Sequence, residues 1–225
     1  TFQAALRAQQ IQKQLPIERI LLLFFTGNDF QDNERFWAMQ RNPLPGPIGS
    51  PIPRESVSPL TGFLLRHSHL YAHYRIYKRQ KVVQSGQDHS KENWKDELQI
   101  FTTSGQGRLK QLRQRTREAL KALKKEAGEK PLMVAIAPPA FVIDIDRMKA
   151  TFSLVGLDPE KAKLEAPQQA ILEELIQQKI PHCDLSTALK VGQQQDNMYF
   201  EFDGHWTPAG HQIVADQIGH CMEAQ

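Results

Sequence analysis

Two apolar runs that lack period-2 alternation constrain this chain more than any other feature. Glu18 to Phe25 closes with Ile-Leu-Leu-Leu-Phe-Phe, and Pro131 to Ala137 carries Leu132, Met133, Val134, Ala135 and Ile136 into a Pro138-Pro139 stop. Runs of this kind suit strands buried on both faces of a parallel sheet. Ile180 to Leu185 is a third, shorter candidate. Helical patterns fall between and after them: Gly107 to Ala127, stopped by Gly128, then Ala166 to Lys179, then Pro208 to Met222. Strands alternating with helices predict an α/β fold, a three-layer, doubly wound, mainly parallel sheet. Three strands are few for such a sheet, and the first follows a helix (Phe2, Ala5, Leu6, Gln9, Gln10, Lys13) that itself needs a preceding strand. The expectation is therefore one α/β domain over 1–225 that is N-terminally incomplete.

Residues 30–103 form a long excursion between the first two strands, expected to act as a lid or substrate-binding element or as a decoration of the fold. Asn42 to Pro59 is rich in Pro, Gly and Ser, Leu60 to Tyr77 reads as a helix, and Val82 to Trp94 is polar. The formal net charge of +3 gives no ground for nucleic-acid binding. The basic stretch Arg108 to Lys125 interleaves with Leu109, Leu112, Leu120 and Leu123 at helical spacing, which reads as the solvated face of an amphipathic helix. No apolar run approaches the ~20 residues of a membrane span. Cys183 lies in a strand-like run and Cys221 on a helix. Two buried thiols are the default reading, and a disulfide is the alternative.

The strongest chemical signal is Tyr199-Phe200-Glu201-Phe202-Asp203-Gly204-His205-Trp206-Thr207-Pro208-Ala209-Gly210-His211. Thr207 suits an N-cap and Pro208 a first helical residue, so Asp203 and His205 sit in the loop before a well-specified helix. In an open α/β sheet such loops lie near the carboxyl ends of the strands, where sites are built. A histidine there can serve as general base, its ordinary pKa being about 6.5, and a nearby carboxylate can hold its tautomer. An ordinary loop histidine beside a turn aspartate fits the same residues. The second signal is Thr26-Gly27-Asn28-Asp29 directly after the first strand. The Asn28 amide is placed to stabilise an oxyanion, or the segment is simply an Asx-turn.

Together these two segments resemble the SGNH hydrolase superfamily, the GDSL-like esterases. That family has a Gly-x-Asn-Asp segment after a core strand and a late Asp-x-x-His segment before its last helix. Gly27-Asn28-Asp29 looks like the first and Asp203 to His211 like the second. Asp184 and the Pro138-Pro139 strand end fall in the family's order. The resemblance implies a flavodoxin-like fold with His205 as base, Asp203 as its partner and Asn28 as oxyanion donor, and it requires neither metal nor organic cofactor. Asp203 precedes His205 by two residues rather than three, as in alginate-type O-acetyltransferase relatives, so transfer competes with hydrolysis. Thr26 stands where the family often has Gly. The chain holds no Gly-Asp-Ser segment, which in the family precedes the Asn segment and would here lie before Thr1.

Of the serines present, Ser50, Ser56, Ser58, Ser68, Ser85, Ser90 and Ser104 belong to the excursion, and Ser153 and Ser186 follow later elements. None is expected on a buried strand-to-helix turn, the setting an activated serine needs. His67, His69 and His73 include an i, i+4 pair without a completing ligand, so no metal site is assigned. Alternation through Val142-Ile143-Asp144-Ile145-Asp146 puts Asp144 and Asp146 on one exposed face, and His211 is expected to pack on the last helix. The expected activity is hydrolysis or transfer of an O-acyl group, O-acetyl included, on a carbohydrate or other small ester. The alternative is a non-catalytic module of the same fold that binds a glycan or a protein. A membrane anchor would have to lie before Thr1, the resemblance hints at a bacterial exported or membrane-anchored protein, and oligomeric state is left open.

Overall fold

A computed structural model describes residues 1–41, 90–201 and 204–224. Among these residues the sheet has three parallel strands in the order β1-β2-β3: β1 is Ile20–Phe25, β2 Leu132–Ala137 and β3 His182–Asp184. Ile20 to Phe25 pair in register with Leu132 to Ala137, and Val134, Ala135 and Ile136 pair with His182, Cys183 and Asp184. The central strand β2 is buried along its whole length, which accounts for its uninterrupted apolar sequence.

The described α-helices are α1 (Phe2–Gln12), α2 (Asp29–Arg41), α3 (Ser90–Gln99), α4 (Gln106–Ala127), α5 (Ala140–Ile143), α6 (Ile145–Leu154), α7 (Ala166–Gln177), α8 (Ser186–Gln193) and α9 (Pro208–Glu223). Side chains of β2 alternate between two cores. Leu132, Val134 and Ile136 join Phe24, Leu112, Leu120, Leu123, Ile171 and Leu175 on one side. Met133, Ala135 and Ala137 join Cys183, Leu189, Tyr199 and Val214 on the other. The fold is thus α/β, with helices against both faces of a small parallel sheet.

In α4, Leu109, Leu112, Thr116, Ala119, Leu120, Leu123 and Ala127 are buried, a stripe at three- and four-residue spacing that packs on α1, α2 and α7. Gly128 ends it at φ +59°, a left-handed conformation that other residues adopt at a cost. Its basic side chains are not all left to solvent. Arg113 and Arg117 both hydrogen-bond Glu174 of α7, a carboxylate with no exposed surface, and Arg113 also reaches Glu173. Arg115 stacks its guanidinium 3.4 Å from the centroid of the Trp37 ring. Lys110, Lys121 and Lys125 remain exposed.

Both ends of the 30–103 stretch pack into the core. Phe30 on α2, and Ile100 and Phe101 after α3, have no exposed surface, and Asn33 donates to the Thr116 hydroxyl of α4 at 3.2 Å. The Leu60–Tyr77 segment and His67, His69 and His73 lie outside the described residues.

Two local expectations are corrected. Val142 to Asp146 is not extended: α5 and α6 meet there, and Asp144 caps α6 by accepting from the Asp146 and Arg147 amides, both at 3.0 Å. Helical residues on either side of a cap mimic alternation over so short a window. Cys183 and Cys221 are joined in a disulfide that ties β3 to α9, so neither is a free thiol.

The outer edge of β1 pairs with no strand among the described residues, and Leu21 and Leu23 are 45% and 43% exposed. None of the described helices is long and apolar enough to cross a membrane.

Candidate active site

The Asn segment is a turn over residues 26–28 at the carboxyl end of β1, leading into α2. Thr26 anchors it, its amide donating to the Ala137 carbonyl at 2.9 Å and its hydroxyl to the same oxygen at 3.4 Å. Asp29 turns its carboxylate back to accept the Phe25 amide at 2.7 Å. Burial raises the Asp29 carboxyl above its ordinary value, and the Phe25 hydrogen bond opposes that shift. The Asn28 carbonyl accepts from Asp32 at 2.9 Å, in the first turn of α2, and the Asn28 side chain is half-buried. Thr26 has only 1% of its surface exposed, so its hydroxyl fastens the turn to β2 where a glycine could not.

The late segment is a two-legged loop. Thr207 donates its amide to Met198 at 3.0 Å, Tyr199 bridges Trp206 in antiparallel fashion, and the Phe200 amide donates to the His205 carbonyl at 2.8 Å. Thr207 caps α9, its hydroxyl accepting from the Gly210 amide at 3.1 Å and donating to the Asn197 carbonyl at 2.6 Å. The glycine at 210 is required by proximity: a Cβ there would stand 2.2 Å from the Met198 carbonyl oxygen. Gly204 takes φ +70° at the tip. The Trp206 ring meets His211 edge-on at 5.5 Å, so His211 packs near the helix start while staying exposed.

Tyr199 roots the loop in the sheet. Its hydroxyl donates to the Pro138 carbonyl at 2.7 Å, and burial pushes the phenol up to about 12 despite a hydrogen bond from Trp206. The two motifs are therefore hydrogen-bonded to consecutive residues, Ala137 and Pro138, where β2 ends. On the outer side of the loop, the Arg147 guanidinium donates to the carbonyls of both Phe200 and Glu201. His205 is exposed on the returning leg, and Asp203 lies outside the described residues.

A third cluster closes the carboxyl end of β3. Asp184 accepts from the Gln168 amide and, at 2.9 Å, from the Ser186 backbone, while the Ser186 hydroxyl donates to Gln168 at 2.9 Å. Ser186 thus does stand on a strand-to-helix turn, contrary to the sequence expectation, because β3 is only three residues long and α8 starts at once. It is 4% exposed, and its hydroxyl is spent on Gln168 rather than on a base.

Tyr199 and Arg147 were not legible as site residues. A tyrosine four residues before the Asp-x-His offers a weak local hint, whereas Arg147 lies more than fifty residues upstream with no motif around it. Among the described residues, no group of three or more His, Cys, Asp or Glu side chains could hold a metal ion.

The small parallel α/β sheet thus has the segments of both sequence motifs rooted at the end of one strand, through Thr26 and Tyr199. Residues 96–225, more than half of the chain, match the family model of the SGNH hydrolase-like domain, acetyltransferase AlgX, and the chain belongs to that family. The matched range contains Asp184, Asp203 and His205, and Asn28 precedes it. Comparison with curated proteins and with solved structures yields no match. At the level of the family, the chemistry is that of O-acyl transfer or hydrolysis.

Proposed function

We propose that the chain supplies the acid-base and oxyanion parts of a serine-dependent O-acyl hydrolase or acyltransferase acting on an O-acylated, in particular O-acetylated, carbohydrate or small ester. The observation that carries this reading is the anchoring of both motif segments to Ala137 and Pro138 at one strand end. The attacking group is proposed to be a serine hydroxyl, and the edge of β1 beside Leu21 and Leu23, unpaired among the described residues, has room for a further strand. That addition would complete a three-layer, flavodoxin-like, doubly wound sheet.

In the proposed reaction the serine Oγ attacks the acyl carbonyl as His205 removes its proton. Asp203 orients the imidazole and stabilises the imidazolium that forms. The carbonyl oxygen gains negative charge and accepts a hydrogen bond from the Asn28 amide, a contribution worth roughly 3 kcal/mol in comparable sites. Collapse expels the alcohol, which takes the proton from His205, and leaves an acyl-serine. A second hydroxyl, from water or from an acceptor sugar, is then deprotonated by His205 and attacks the acyl group, restoring the serine.

The Cys183–Cys221 disulfide supports assembly in an oxidising compartment, in keeping with an exported protein. The test is His205→Ala in the full-length protein, assayed on p-nitrophenyl acetate. Activity should drop to near background, and wild-type turnover would remove His205 from the mechanism.

A further inference from the structure

The loop that carries His205 is tied to the fold at several described points. The side of it that returns to α9 is fixed by backbone pairing and by Thr207, and its base by Tyr199. The outgoing leg, Phe200 and Glu201, shares that pairing through the Phe200 amide. Phe200 is 49% exposed and Glu201 is exposed, so neither is held by burial. Their two carbonyls converge on one group, the Arg147 guanidinium, delivered from a helix that belongs to another part of the fold.

We propose that Arg147 is a positioning residue for His205, a clamp that fixes the outgoing leg of the loop and through it the imidazole on the returning leg. The physical reasoning has three steps. First, the guanidinium stays charged at any working pH, and its terminal Nη2 donates to both adjacent carbonyls, so one planar group satisfies the two at once. Second, Arg147 is itself fixed: its backbone amide is bound by the Asp144 cap at 3.0 Å, and the next residue, Met148, is 4% exposed and sits in the core. The clamp is therefore attached to a rigid base. Third, the leg it holds is bonded across the loop by the Phe200 amide to the carbonyl of His205 itself, at 2.8 Å. Movement of Phe200 is passed directly to the backbone of His205.

Arg147 also reaches Tyr199 electrostatically, drawing its phenol down against the effect of burial, which places the charge at the root of the loop as well as at its side. A lysine could donate to the same carbonyls, but its ammonium is a strongly hydrated point charge on a flexible stem rather than part of a rigid planar group.

The catalytic consequence rests on the role proposed for His205, so the experiment has one arm that depends on that role and one that does not. Amide hydrogen exchange is measured on the protein with Arg147→Ala, Arg147→Lys and, as a control at an exposed basic residue of the same helix, Lys149→Ala. With Arg147→Ala, the Phe200 and Thr207 amides should exchange about tenfold faster or more, while Val134 in β2 and Val214 in α9 keep their protection and the melting temperature stays near wild type. Arg147→Lys should fall between, and Lys149→Ala should match wild type. Unchanged exchange at Phe200 in Arg147→Ala overturns the clamp. In the full-length protein, Arg147→Ala should lower kcat by about 10²-fold with little change in KM, the mark of a displaced catalytic group rather than lost substrate binding. Loosened exchange with full kcat overturns the positioning role. A His205→Ala enzyme that keeps its activity overturns the assignment of His205 and leaves the exchange result standing alone as the measure of the clamp.

Discussion

The Cys183–Cys221 bond offers the most quantitative test of how this fold is held. It closes a sequence separation of 38 residues, and that closed segment contains α8, the whole His205 loop and most of α9. Cross-linking removes chain entropy from the unfolded state in proportion to the logarithm of loop length, and for a loop of this size the relation gives roughly 4 kcal/mol at room temperature. For a chain of this length each kcal/mol corresponds to about 2–4 °C in melting temperature, so loss of the bond should lower it by roughly 8–16 °C. The cost should be felt first in the face of the sheet covered by α9, because Val214 and its neighbours pack on β2 only while that helix is docked. The assay is urea and thermal unfolding of wild type with and without a phosphine reductant, beside a Cys183→Ala/Cys221→Ala double variant. Reduced wild type should approach the double variant, and the reductant should leave the double variant unchanged. Thiol titration of the unfolded, unreduced protein should find no free thiol. Two reactive thiols in that titration, or a wild-type transition indifferent to the reductant after full reduction, would refute the reasoning.

The packing carries three further outcomes. Burial works against ionised Glu174, yet the hydrogen bonds from Arg117 and Arg113 outweigh it and hold the carboxyl below its ordinary 4.5. A depressed folded value contributes stability above the unfolded pKa that is lost as pH falls through the folded one, so wild type should lose more stability than Glu174→Gln between about pH 5 and pH 3. Equal acid sensitivity of the two in urea midpoints would count against the ion cluster. Replacing both Arg113 and Arg117 with Met should cost more than Glu174→Gln, about 3 kcal/mol or above, because it strands a buried charge. At the start of α9, Gly210→Ala drives a Cβ into the Met198 carbonyl and should destabilise by about 1–3 kcal/mol while shifting the His205 loop, visible as altered amide signals for Tyr199 to Thr207. A fully native spectrum would show that the close approach is not real.

Much of the architecture could be read along the chain, because it depends on patterns shorter than one element. The unbroken apolar runs at Ile20–Phe25 and Leu132–Ala137 announce strands covered on both faces, since only a strand without a wet side dispenses with alternation. The leucine spacing and Gly128 delimit α4, and Thr207-Pro208 marks the start of α9 within a residue. The turn after β1 and the loop before α9 were equally legible as local structure, because each is a contiguous string beside one element.

Tertiary structure decided what contiguous strings cannot encode. Whether Cys183 and Cys221 pair depends on how α9 is laid against β3, which local sequence does not specify. Asp144 looks like an exposed strand residue until the chain turns there and its carboxylate becomes a helix cap. Thr26 and Tyr199 find neighbouring carbonyls at Ala137 and Pro138, where β2 ends, although more than sixty residues separate each from its partner. Arg147 meets Phe200 and Glu201 only because α6 and the late loop fold to the same corner. Secondary structure follows from interactions a few residues apart. A site of this kind is assembled by contacts across the whole chain, whose geometry exists only once the sheet has brought the loops together.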